Sequence, residues 1–131
     1  VDVVELSPRH VEFDLGDSVP PMRRARRWIA ENVPDLDQSR LLDLLLIADA
    51  LLTNAFEHAL GPRRLRLSYP QDGRVVRVEV ADGSPERLPV LGKLGGLGVR
   101  HRGLLLVNRL SSRWGVDPHA AYKTVWGEVA A

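Results

Sequence analysis

One polar pair inside an apolar run constrains this chain more than any other feature. In ADALLTNAFEHAL, residues 48–60, apolar side chains recur at helical spacing, and Asn54 and His58 stand four residues apart on one helical face. The same spacing extends upstream through LLDLLLIADALL to Ser39 or Asp37, either of which is a suitable N-cap. Downstream, Gly61-Pro62 is a stop signal, so one long helix is predicted to about Leu60. An amide and an imidazole one turn apart can reach the same ligand, metal or backbone group. Buried without a partner, each costs about 1–3 kcal/mol. From this stretch alone, a pair that faces solvent or bonds a neighbouring loop is a slightly better reading than a ligand site.

The flanks supply the rest of a fold. RHVEFDL, residues 9–15, alternates as a half-buried strand does, with Val11, Phe13 and Leu15 on one face. Gly16-Asp17 breaks it. Ser18 is an N-cap for a helix with Pro20 and Pro21 in its first turn, running to about Val33 and stopped by Pro34. Its inner face is Met22, Ala25, Trp28, Ile29 and Val33, with Arg23, Arg24, Arg26 and Arg27 mostly outside. After the long helix, RRLRLSYP and GRVVRVEVAD alternate around the turn signal Gln71-Asp72-Gly73 and read as a β-hairpin. Leu65, Leu67 and Tyr69 share one face of it, as do Val76, Val78 and Val80. Residues 82–100 show no sustained period and form a long Gly- and Pro-rich loop. RGLLLVNRLSSRW restores helical spacing through Leu104, Leu105, Val107 and Leu110, and RWGVDP with YKTVWGEVA makes a last hairpin turning near His119-Ala120. The order β, α, α, β, β, loop, α, β, β predicts an α+β fold, a two-layer sandwich whose mixed, mostly antiparallel sheet carries helices on one face.

Length and charge narrow the classes. At 131 residues, the chain has room for one domain, expected to occupy 1–131. Eighteen basic against 17 acidic residues leave a formal charge of +1, which removes the electrostatic case for direct nucleic-acid binding. The absence of cysteine excludes disulfides and thiolate metal sites and fits a cytoplasmic setting. Asp43 and Asp49 interrupt the most apolar stretch, so no membrane span is expected, and the N-terminus lacks the order of a signal peptide.

Taken in order, LLTNAFEHA, VEVADGSP, RGLLLVNRLSSRWGV and YKTVWGEV resemble the nucleotide-binding boxes and closing strand of the ATP-binding anti-sigma-factor serine kinases, on the fold shared with gyrase B and histidine kinases. The resemblance covers nearly the whole chain. It implies that Asn54 binds Mg2+ bridging the triphosphate of ATP, with His58 near the phosphates on the same helix. It implies that Asp82, followed by Gly83, accepts a hydrogen bond from the adenine amino group, and that Thr124 supports that aspartate. Arg102, Gly103 and Leu104 would open the phosphate-facing helix. Read without the resemblance, Asp82-Gly83 is more often a turn and Thr124 a strand former.

Two positions depart from the family pattern. The glutamate that serves as general base four residues before the magnesium asparagine is replaced by Ala50, which cannot take a proton. General-base catalysis contributes about 10² to 10⁴ in rate, so phosphoryl transfer should be impaired. Asp49 lies about 100° round the helix, and Glu57 is also off the Asn54 face. His101 stands where a glycine usually precedes Arg-Gly-Leu; at a positive φ it would cost about 1–2 kcal/mol. Lys93, Gly95, Gly96, Gly98 and Arg100 lie in the same loop, and the two cations could offset that cost. The expectation is an ATP-binding regulator of the anti-sigma-factor kinase type, acting in partner switching on a sigma factor or an antagonist protein, with homodimers common among such proteins. The alternative is an interaction module that has lost nucleotide binding.

Overall fold

The computed structural model describes residues 10–16, 22–33, 35–86 and 102–131. Ser18, Pro20, Pro21 and Pro34, and the loop residues Lys93, Gly95, Gly96, Gly98, Arg100 and His101, lie outside them. In chain order the elements are β1 (His10–Gly16), α1 (Met22–Asn32), α2 (Gln38–His58), β2 (Arg63–Ser68), α3 (Pro70–Gly73), β3 (Val75–Asp82), α4 (Arg102–Leu110), β4 (Arg113–Pro118) and β5 (Lys123–Ala130).

Five strands form one sheet in the order β1-β2-β3-β5-β4, and each neighbouring pair is antiparallel, so the sheet is more uniform than the mixed one expected. Alternation decides its two faces. Leu65 pairs with Val80 and Leu67 with Val78; Val78 then pairs with Gly127 and Val80 with Val125. These positions point toward the helices, where Leu65, Leu67, Val76, Val78, Val80, Val125 and Val129 are buried against Ile29 of α1 and Leu44, Ile47, Leu51 and Leu52 of α2. Buried α2 residues recur at three- and four-residue steps, the stripe of a helix lying on a sheet. Gly127 lets that helix lie close, since a Cβ there would sit 2.9 Å from Cγ2 of Ile47. The far face is polar: Arg77 lies 4.1 Å over the Trp126 ring and its Nε donates to Glu128 at 2.6 Å.

Local chemistry sets the ends of the helices. Asp37 is the N-cap of α2, its carboxylate accepting from the Arg40 N–H at 2.8 Å, while the Ser39 hydroxyl donates to Asp37 rather than capping. The helix stops at His58, two residues short of the expected Leu60, and Ala59 is already extended. Its last carbonyls are satisfied by a side chain: the buried Arg63 guanidinium donates to Ala55 O at 3.2 Å and Ala59 O at 2.6 Å, and lies 4.2 Å over the Phe56 ring. The Gln71-Asp72-Gly73 turn is part of a short helix begun at Pro70, a residue suited to a first helical position. α4 ends at Leu110, the last apolar residue of its spacing, and the Ser111 N–H and hydroxyl both turn back to the Val107 carbonyl. On α1, Ala25 and Ile29 are buried and all four arginines exposed, as the sequence predicts.

Candidate functional site

Asp82 ends β3 on the inward-facing side of the strand, 1% exposed. An ionised carboxylate at that depth must be paired. Directly across the register stands Lys123, also 1% exposed, and its Nζ donates to Asp82 Oδ1 at 2.9 Å and to the Ser84 carbonyl at 2.9 Å. The Ser84 N–H donates to the same Oδ1 at 2.9 Å, the side-chain turn that an aspartate makes two residues back from an N–H. One oxygen is therefore held twice. Asp82 Oδ2 is buried and has no hydrogen-bond partner.

The turn after Asp82 is fastened to the end of α2. Gly83 N–H donates to Leu60 O at 2.8 Å, and Leu60 N–H donates to Ser84 Oγ at 2.8 Å. A Cβ at Gly83 would lie 2.6 Å from the Gly61 carbonyl oxygen, so this glycine is required by backbone-to-backbone packing. The chain that carries Asn54 and the strand that carries Asp82 thus meet at one end of the domain.

The Thr124 assignment is corrected by the register. Thr124 pairs with Ala81 and Asp117, on the opposite face of β5 from Asp82; the support expected of it comes from Lys123, one residue earlier. Lys123 and Ser84 were both missed by sequence reasoning. The signal for Lys123 was present: in KTVWGEVA, the alternate positions Lys123, Val125, Gly127 and Val129 form the buried face, and a lysine on such a face demands an anion.

On α2, Asn54 is half-buried, and its side chain makes no hydrogen bond among the described residues. Ala50, one turn earlier, is half-buried and packs against the core. Asp49 is turned toward α1, where Arg26 Nε reaches its two oxygens at 3.1 and 3.0 Å, and Glu57 is exposed. Of His58, Arg102 and Gly103 only the backbone is described; they form the last residue of α2 and the first two of α4. Leu104 is 3% exposed, so its side chain belongs to the interior, and its backbone N–H lies in the first turn of α4, where a helix offers no intrahelical acceptor. Among the described residues no three His, Asp or Glu side chains gather as a metal cluster. No described helix is long and apolar enough to cross a membrane.

Comparison with known proteins follows the same outline. A family model described as the histidine kinase-like ATPase domain matches residues 11–126. Curated proteins give no match. Among solved structures, the crystal structure of the RsbU and RsbW domains of Rv1364c from Mycobacterium tuberculosis is similar in fold, with a TM-score of 0.66 at 19% identity. The match covers 93% of this chain and 32% of that longer one.

Proposed function

The chain belongs to the histidine kinase-like ATPase domain family, and from that premise we propose that it is an ATP-binding regulatory domain of the anti-sigma-factor kinase type, with phosphoryl transfer impaired. The observation that carries this reading is the Asp82 carboxylate, buried with one oxygen saturated and the other without a partner. A buried acceptor left alone costs about 1–3 kcal/mol, which an N–H donor from a ligand would recover. The adenine amino group is such a donor, and the residues fit it. Asn54 fits a magnesium ligand on its donor chemistry: its amide has no competing partner among the described residues, and Mg2+ takes few protein ligands and keeps several waters. Bound there, the ion would supply charge neutralisation for the triphosphate. The free N–H groups of the first turn of α4, Arg102 to Leu104, suit the phosphates themselves.

Ala50 is the reason to set catalysis apart from binding. The neighbouring acidic residues do not take its place, since Asp49 is engaged by Arg26 and Glu57 is exposed. With binding retained and transfer weakened, the domain would act through a protein partner, a sigma factor or its antagonist, whose affinity depends on the nucleotide. Thermal melting with Mg-ATP and with Mg-GTP tests the reading. Saturating ATP, at about a hundredfold over its Kd, should stabilise the fold by about 2.7 kcal/mol, and GTP by much less. A melting point indifferent to both nucleotides would instead favour an interaction module that has lost nucleotide binding.

A further inference from the structure

Given adenine at Asp82 Oδ2, as proposed above, we infer that Lys123 is the residue that sets base specificity, by keeping the Asp82 carboxylate an acceptor with a single free oxygen. Lys123 Nζ, with the Ser84 N–H, occupies Oδ1 completely enough to fix the carboxylate plane, both bonds being 2.9 Å. Its second bond, to the Ser84 carbonyl at 2.9 Å, anchors the amine to the turn that follows Asp82. The lysine is itself 1% exposed, so it is a buried cation matched to one anion rather than a surface charge that happens to lie near. What remains for a ligand is Oδ2, which can only accept.

The chemistry of the base follows from that. A 6-amino purine offers Oδ2 an N–H. A 6-oxo purine offers it a carbonyl, and two acceptors facing each other in a buried site repel. Remove the lysine, and Oδ1 keeps only the Ser84 N–H, so the carboxylate plane is no longer fixed. A carboxylate free to turn can move its oxygen away from a carbonyl, so a 6-oxo base becomes tolerable. Lys123 touches Asp82 and the turn, and acts on the base through them, as a positioning residue.

The test compares ADP with inosine diphosphate, in which a 6-oxo group and an N1–H replace the 6-amino group and the bare N1, by calorimetry on the unmodified protein, Lys123→Met and Lys123→Gln. Each variant is first confirmed folded by melting. Unmodified protein should prefer ADP. Lys123→Met should weaken ADP by about ten- to a hundredfold and lower the ADP to inosine diphosphate preference to about a tenth or less. Lys123→Gln keeps a donor without the charge and should fall between, which keeps the test usable where methionine prevents folding. A lysine that merely held the fold together would lower stability and leave the preference between the two bases unchanged. A folded variant with unaltered preference would overturn the role assigned to Lys123 while leaving the ATP reading intact. Failure of the unmodified protein to bind ADP would overturn the ATP reading, and this inference with it.

Discussion

Ala50 stands one helical turn before Asn54, half-buried against the core, and neither neighbouring acidic residue replaces it: Asp49 is paired to Arg26 and Glu57 is exposed. Unmodified protein should therefore show little ATP hydrolysis or transfer, and Ala50→Glu should raise turnover. The gain should be below the full general-base factor of about 10² to 10⁴, because nothing has been selected to orient the new side chain. Turnover measured on the folded variant checks it, and an inert variant that still binds ATP would contradict it. At this scale the sequence was legible where a residue's chemistry clashed with its surroundings. Asn54 within an apolar helix stood out by itself, and Asp82 through its place in the resemblance to a nucleotide-binding family. Lys123 did not, because it sits beside Thr124 on β5 and only the strand register places one on the Asp82 face and the other on the opposite face. The need for a glycine at 83 is set by the Gly61 carbonyl, 2.6 Å from where a Cβ would be, a contact that the sequence does not reveal.

Helix α2 links the core to the site, and its N-terminus is the element most open to titration. The Asp37 carboxyl is held below its ordinary range chiefly by the Arg40 N–H, then by the Ser39 hydroxyl. A carboxyl depressed in the folded state contributes stability that is fully present above the unfolded value of 3.8 and is lost as pH falls through the lower folded value. Asp37→Ala should lower the melting temperature by a few degrees at neutral pH. The difference from unmodified protein should shrink as pH drops below 3.8, so melts across an acid series check both parts. Elements with a long, unbroken period, namely α2, β2, β3 and β5, were readable from the sequence. The end of α2 was not, because it depends on a side chain turning back: Arg63 reaches its last turn. The hairpin turn gave way to α3 because Pro70 starts a helix as readily as it ends a strand.

Across the whole molecule, the order of the elements was enough to predict a two-layer α+β fold, since only one face of the strands alternates apolar and three longer helices must cover it. The antiparallel pairing of β5 with β3 across the intervening α4 was not readable, because alternation fixes faces and leaves neighbours open. That pairing builds the site. It sets Lys123 against Asp82, while the Gly83 N–H donating to the Leu60 carbonyl and the Leu60 N–H donating to the Ser84 hydroxyl fasten the turn after Asp82 to the chain just beyond α2. The most direct measurement is calorimetric titration of the protein with ATP in magnesium and again in EDTA, for the unmodified chain and for Asn54→Ala. An ATP site built on Asp82 and Asn54 predicts binding that magnesium strengthens, and a loss in Asn54→Ala that is large with magnesium and small in EDTA, bringing its two affinities together. Absence of binding, or affinity indifferent to magnesium in the unmodified chain, would contradict it.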